Sequence, residues 1–465
     1  MSLPMRKELF TGSVLVAMGG ALGCSSGGHE SSTKGSAAST SYTTPDDGNL
    51  WTQGQDLSTY AIGQENVLSN EDQIFAQMAA DVTQMQNDLV NAGLNPALAR
   101  GFHAKAHACA LGTFTVASDT IPLAQRRGLF ASDASYPVWV RFSNGVGFSE
   151  SDKDTDVRGL AFKVMKVPGG GTQDFLMTNG PITPAPDSQQ FVNFGKAQVA
   201  ATVSTAGTPL GLGPIASMLE TGGYLLEPQN SRLLWYIVNQ ATPQVLTGGT
   251  VLGLRFWSGG AIELGDSNGT PMDAVKVSAV PGVPQSDGSC TPVSALPNLL
   301  DSNYLRTDIV QRLQNGPACV AIEIQFQVDP AKQPIEDTSV EWLESDSRFY
   351  QVASVTIPQV DLTTGQGASE ESFCENLSFT PWHAMPDHRP LGNIMRARKV
   401  VYATSAMNRG AAAEPTGDEF GGGGSGDQGA GDDGSGSNAS DAGAPAPTED
   451  SGLASDCDGG EDVCN

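Results

Sequence analysis

The chain has 465 residues and a formal net charge of −26, and 39% of its residues are hydrophobic. Phosphate backbones require clustered cations, so this acidic balance excludes nucleic acid as an expected partner. Seven cysteines occur with no CxxC spacing, which argues against a zinc site.

Residues 1–24 read as an export signal. Arg6 and Lys7 precede an apolar stretch from Leu9 to Leu22, and Ala21-Leu22-Gly23-Cys24 closes it. The pattern resembles a bacterial lipoprotein signal, although the strongest of these carry Leu where this chain has Ala21. It implies lipidation of Cys24, membrane attachment, and a periplasmic or cell-surface location. A plain secretory peptide cleaved nearby is the alternative, and both take the protein out of the cytoplasm. With Cys24 removed, six cysteines remain, of which Cys457 and Cys464 are the most local pair.

Residues 25–60 form a Ser/Thr/Gly-rich segment suited to a flexible tether. At the other end, residues 411–465 hold thirteen acidic side chains and no Lys or Arg, half of the net charge. A Gly/Ser/Asp-rich segment buries too little apolar surface to offset its chain entropy, so a disordered tail is expected there. The span 61–410 is long enough for one large domain.

Within that span, residues 70–92 place Ile74, Met78, Met85 and Leu89 at helical spacing, with Asn70 or Ser69 as a cap. From Ala104 the pattern changes to short runs rich in Val, Phe, Thr and Leu at 108–117, 137–143, 158–166 and 173–178. No helix-length pattern separates these strands, so antiparallel pairing is expected. Helices follow at 188–204, 210–220, 229–240 and 296–315, and strands at 250–257, 273–279, 318–328 and 349–357. A last helix spans 389–409 and ends at Gly410. The expected class is α+β, built on a large antiparallel sheet or barrel.

Arg398 and Tyr402 lie four apart in that last helix and Arg409 lies seven further on, so all three share one face. A guanidinium beside a phenol stabilises the phenolate, which favours iron ligation. His103 opens the strand-like run and suits the handling of peroxide protons. Arg100 and Arg141 suit the carboxylates of a cofactor. His107 reads as part of a strand, His383 and His388 as loop residues satisfied by backbone or carboxylate partners, and Cys109 as a small buried hydrophobe.

The order of several motifs carries a family resemblance. Arg100-Gly-Phe-His103 followed by Gly112-Thr-Phe-Thr-Val116 resembles the distal segment of haem catalases. Pro137-Val-Trp-Val-Arg141-Phe-Ser143 and Asp156-Val-Arg158-Gly-Leu-Ala-Phe-Lys163 are similar to the two stretches that follow in that family. Asp174-Phe-Leu-Met-Thr178-Asn179-Gly-Pro181 lies where the family places a distal asparagine. Arg398-x-x-x-Tyr402, with Arg409 beyond, has the spacing of the proximal ligand. The chain thus resembles the catalase-like haem protein superfamily. Pro334 to Trp342 and Glu375 to Gly392 look like its short bacterial catalase-related peroxidase branch.

The resemblance implies an antiparallel barrel core with surrounding helices, a haem b cofactor, and hydrogen peroxide as substrate. It implies that His103 is the distal base, that Ser143 orients it, and that Tyr402 is the axial iron ligand, kept anionic by Arg398. Arg100, Arg141 and Arg409 would hold the propionates, and Phe191 would pack near the haem. Two departures stand out. The catalytic asparagine position holds Thr178 in an ungapped alignment, and Asn179 faces the haem only with a bulge or register shift; the carboxamide chemistry favours Asn179. The aromatic pair expected after Pro181 is replaced by Ile182-Thr-Pro-Ala-Pro186, which puts high dismutation turnover in doubt.

The leading expectation is a haem enzyme that dismutes hydrogen peroxide or uses it to oxidise a small reductant. One alternative is rearrangement of organic or lipid hydroperoxides, as in the allene oxide synthase branch; Phe102, where that branch places threonine, counts against it. A non-catalytic haem-binding surface protein is the other. Oligomeric state is not legible.

Overall fold

The computed structural model describes residues 56–206, 223, 225–226, 230–237, 249–265, 273–282, 290 and 301–420. The export signal, nearly all of the tether, the helix expected at 210–220, the Cys457/Cys464 pair and the tail beyond 420 lie outside these residues.

Strands β1 (Ala106–Val116), β2 (Ser135–Asn144), β3 (Arg158–Met165) and β4 (Thr172–Thr178) pair in succession, each antiparallel to the last. β4 then pairs with β5 (Phe256–Ser258), and β5 with β7 (Asp273–Pro281). β7 pairs with β8 (Ala318–Phe326), β8 with β9 (Phe349–Ile357), and β9 returns to β1. The ring is a closed eight-strand antiparallel barrel, the expected α+β architecture. β6 (Ala261–Leu264) shares with β5 the edge of β7 opposite β8, and it carries the two-residue β10 (Pro390–Leu391). Closure leaves no long unpaired edge in the ring.

The period of two along each strand divides interior from exterior. Ala108, Ala110, Phe114 and Val116 of β1 join Val138, Val140 and Phe142 of β2 and Leu160, Phe162 and Val164 of β3 in the barrel core. Each fully buried Phe or Leu of this kind contributes about 1.5–3 kcal/mol. The intervening positions point outward. On β2 these are Trp139, Arg141 and Ser143, of which Trp139 joins a separate outer cluster with Cys109. The outer face of β2 to β4 is where the site forms.

Helices cover that face. α1 (Glu71–Asn91) follows the expected period, burying Met78, Val82, Met85 and Leu89. It packs with α2 (Ser188–Thr205) and α6 (Asn393–Asn408) around Val192, Val199, Ala397 and Val401. α6 starts at 393 rather than 389 because Pro390 and Leu391 pair with β6. Arg396 anchors it by ion pairs to Glu65 (2.6 Å), Glu71 (2.6 Å) and Glu336 (3.0 Å). The shorter helices are α3 (Ser231–Tyr236), α4 (Tyr304–Asn315) and α5 (Gly365–Asn376). The run expected as a strand at 250–257 is a single 3-10 turn at Val251–Gly253 followed by β5.

The ordered chain continues past 410, where the tail was expected to begin. Glu414 pairs with Lys163 (2.6 Å), the Ala412 amide donates to the Asn376 carbonyl (2.8 Å), and Phe420 packs edge-on against Trp139 and Phe373. Residues 411–420 are acidic and glycine-containing, but the buried Lys163 ammonium and the outer aromatic cluster give them partners.

Candidate active site

A cavity of about 260 Å³ lies between the outer face of β2 to β4 and helix α6. From the barrel side it is lined by Arg141, Ser143, Gly159, Ala161, Leu176 and Thr178, and from the helical side by Arg398, Tyr402 and Arg409. The outward alternation of the strands therefore gathers residues far apart in sequence onto one wall.

His103 reaches this wall from the loop before β1, with a φ of 59°. A left-handed histidine backbone is strained by about 1–3 kcal/mol and persists only where its surroundings fix it. Here the His103 amide donates to the Gly145 carbonyl at 2.8 Å. Nδ1 lies 3.1 Å from Ser143 Oγ. Gly159 is needed beneath the ring, because a Cβ there would stand 2.5 Å from Nδ1. Burial first, then the charges of Arg141 and Arg398, push the imidazole down to about 3, so it is neutral and able to accept a proton.

On the opposite side, the Arg398 guanidinium lies 5.6 Å from the centroid of the Tyr402 ring. Gly259 makes room for it, since a Cβ at that position would meet the guanidinium at 2.7 Å. Trp382, which also lines the cavity, is fixed by donating its indole N–H to the Met395 carbonyl at 2.6 Å.

Arg100, Arg141 and Arg409 gather around the end of α5. Arg141 makes a two-point contact with Glu375, Nε at 2.9 Å and Nη2 at 3.1 Å. Arg100 donates to the same carboxylate at 3.3 Å and to the carbonyls of Glu375 and Leu377, each at 2.9 Å. Arg409 donates to the Leu377 carbonyl at 2.6 Å. Burial, then Arg141, holds Arg100 well below the ordinary guanidinium value, and the same two causes lower Arg409. Glu375 sits below the usual carboxylate range, because Arg141 and Arg100 outweigh the opposing effect of burial. Two of these guanidinium groups grip the one carboxylate and the third lies within its field, so within this trio two positive charges are left without a carboxylate.

That donor set fits haem. A phenol beside a guanidinium suits the iron, and a neutral imidazole faces the same space. The two uncompensated charges match a pair of propionates, which planar guanidinium groups hold well.

Two expected residues are not among the cavity lining. The β3–β4 register runs from Met165↔Thr172 to Gly159↔Thr178 without a shift, so Thr178 takes the outward position and lines the cavity. Asn179 falls on the other side, where its Oδ1 accepts from the Arg158 amide at 2.8 Å. The bulge needed to present the carboxamide does not form, which corrects the assignment to Asn179. Phe191, on α2, packs 5.1 Å from the ring of Phe102 and against the barrel core, one layer behind the cavity.

Other residues gain a place that sequence reasoning missed. His383 lines the cavity, with Nδ1 3.2 Å from both Asp174 and Glu414 and 2.9 Å from Lys163 Nζ. Glu375 opens a motif noted in the sequence, but its contact with the arginines was not expected because α5 itself was not. His388 keeps its expected backbone role, accepting from the Leu129 amide at 2.9 Å. His107 lies on β1 with Nε2 2.8 Å from Asn144 Oδ1. Cys109 is buried as expected, but it is bonded to Cys374.

The sequence profile of the family described as Catalase matches residues 82–206, from the middle of α1 to the end of α2. Among solved structures, catalase A from Saccharomyces cerevisiae is similar in fold, with a TM-score of 0.50 and 16% identity, covering 75% of this chain and 68% of its own. A fungal catalase gives a TM-score of 0.51 and 17% identity, covering 79% and 67% respectively. No curated protein matches by sequence. The barrel with its covering helices is the catalase fold, and residues 82–206 match the Catalase family.

Proposed function

We propose that this protein is a haem-dependent oxidoreductase that consumes hydrogen peroxide. It would act by dismutation to water and oxygen or by peroxidation of a small reductant, as a member of the short bacterial catalase-related branch. The observation that carries the reading is one cavity bordered by His103 with Ser143, Tyr402 with Arg398, and a guanidinium trio that lacks two counter-charges.

Haem b, when bound, supplies the iron redox chemistry that cleaves the peroxide O–O bond. Tyr402 would hold the iron, with the Arg398 guanidinium over its ring, and Arg100, Arg141 and Arg409 would hold the propionates. The neutral imidazole of His103 takes a proton from one peroxide oxygen and returns it to the other, so that the departing oxygen leaves as water. Proton handling of this kind is worth ~10²–10⁴-fold in rate. Ser143 keeps the ring turned toward the cavity. Thr178 presents a hydroxyl where a carboxamide was expected, and Phe102, directly before the histidine, gives this wall an apolar surface.

Export is part of the proposal. The leader at 1–24 and, among the described residues, the disulfides Cys109–Cys374 and Cys290–Cys319 suit an oxidising compartment, and lipidated Cys24 would tether the domain. Among the described residues no helix is long and apolar enough to cross a membrane.

The test is haemin titration of the purified full chain, followed by oxygen release and reductant oxidation with hydrogen peroxide. Tyr402→Phe is expected to change the visible spectrum markedly, and His103→Ala to retain haem while losing turnover. An unchanged spectrum in the first variant, or full turnover in the second, defeats the assignment.

A further inference from the structure

The Cys109–Cys374 disulfide joins two elements 265 residues apart in sequence. Cys109 lies on the outward face of β1, and its cross-strand partner on β2 is Arg141. Cys374 is the residue before Glu375, whose carboxylate grips that same Arg141 through two contacts. The covalent bond and the ion pair therefore run side by side, both linking the barrel wall to the end of α5.

That helix end is where three of the cavity arginines, Arg100, Arg141 and Arg409, are held. The carbonyls of Glu375 and Leu377 accept from Arg100, and those of Asn376 and Leu377 accept from Arg409. Carbonyls at a helix C-terminus carry partial negative charge and lack partners within the helix, so guanidinium groups satisfy them well. The helix is also held by the two-point ion pair of Glu371 with Arg306 and by Phe373 against Trp139 and Phe420. Its buried residues are Gly367, Glu370 and Cys374, and two of those bury little apolar surface. Around the disulfide, Trp139, Met165 and Leu377 complete a small apolar cluster. A helix with few buried residues is positioned by such point contacts, and the disulfide is the one adjoining residues 375–377.

We infer that the Cys109–Cys374 disulfide is a positioning element of the site. It holds residues 375–377 in the register that aims Arg100, Arg141 and Arg409 at a dianionic ligand. This rests on the haem reading above and deepens it. The bond sets how well the site distinguishes free propionates from neutral ones, beyond any part it plays in holding the barrel together.

The experiment compares haemin with haemin dimethyl ester, whose propionates are uncharged, by absorbance titration of the full chain. The ratio of the two affinities reports the arginine cradle and is insensitive to a general loss of stability. Wild type is expected to prefer haemin by tenfold or more. In the Cys109→Ser/Cys374→Ser pair the preference is expected to fall to within about threefold of parity, scaled by what one charge-assisted contact is worth. The Cys290→Ser/Cys319→Ser pair, which removes a disulfide distant from the arginines in the fold, Cys319 lying on β8, is expected to keep the wild-type ratio. An unchanged ratio in the first pair, or an equal fall in both, overturns the inference while leaving the haem reading intact. Absence of binding by wild type to either porphyrin overturns both. Should the serine pair fail to fold, Cys109→Val/Cys374→Ala restores the apolar packing; failure of that pair as well assigns the bond to the fold as a whole and overturns the inference.

Discussion

His103 and Ser143 meet at 3.1 Å, Nδ1 to Oγ, with the imidazole partly buried at the wall of the cavity. The pairing leaves Nε2 as the atom that exchanges protons with a ligand. Because burial and two arginines push the ring from 6.5 down to about 3, the reactive neutral form persists well into the acid range. The rate constant kcat/KM for hydrogen peroxide is therefore expected to show no inflection near pH 6.5, and an acid limb only near pH 3–4. The linked stability has a definite sign. The unfolded chain binds the proton near pH 6.5 and the folded chain near 3, so this contribution is present above 6.5 and declines as pH falls toward 3. A limb at 6.5 in the rate profile would show that the ring is solvated.

Replacing Ser143 by Ala removes the group that turns the ring. The strained backbone of His103, with φ at 59°, still places the imidazole at the cavity, so haem binding is expected to persist. Turnover is expected to fall about tenfold, at the low end of what a positioned acid–base group contributes. Equal losses in haem affinity and turnover would instead point to a collapsed wall.

Thr178 and Asn179 make a matched pair of tests. The Asn179 side chain accepts from the Arg158 backbone, so Asn179→Ala is expected to lower stability by about 1 kcal/mol while leaving turnover per bound haem near wild type. Thr178→Val keeps the shape of a half-buried position but removes the hydroxyl bonded to the buried Tyr236 phenol, so a stability loss of about 1 kcal/mol is expected together with a change in turnover. The reverse pattern in turnover would mean that the strand slips by one residue in solution.

These two positions also mark how far the sequence could be read. The period-two strands β1 to β4 and the amphipathic α1 were visible because their apolar residues repeat at the right spacing. Motif order brought His103, Ser143, Arg141, Arg398 and Tyr402 together before any coordinates. What closes the barrel was not legible, because β9–β1 and β8–β7 pair across long sequence separations with no local signal. Helix α5 escaped because its run from Gly365 to Asn376 holds two glycines and almost no apolar face. Missing the helix meant missing the role of Glu375 and the meaning of Cys109. Asn179 was misassigned because chemical suitability outweighed strand alternation; here the unbroken register decided.

Glu375→Gln keeps the shape of the α5 terminus and removes the carboxylate that Arg100 and Arg141 share, with Arg409 nearby. In the haem-free protein, like charges then face each other with nothing between them. Thermal unfolding of that form is expected to be easier by about 2 kcal/mol, in the range for losing a charged hydrogen-bonded partner. Haem loading is expected to narrow the gap, since propionates supply the missing charge. A haem-free Tm equal to wild type would mean that the cluster is solvated and needs no counter-charge.

The end of the domain can be located by truncation. Lys163 is fully buried and contacts Asp174 and Glu414, and Phe420 covers Trp139 and Phe373. A chain stopping after Gly410 leaves the Lys163 ammonium with one carboxylate fewer and strips the aromatic cluster of its cover. Breaking a buried ion pair costs about 3–5 kcal/mol. Glu414 is partly exposed and Asp174 remains, so the lower end of that range is expected, with a Tm drop of several degrees. A chain stopping after Phe420 keeps both contacts and should melt with the full-length protein. Because Glu414 also holds His383 at the cavity wall, the shorter chain is further expected to bind haemin less tightly than the longer one. Identical melting and haemin affinity in the two truncations would place the domain end at 410 after all.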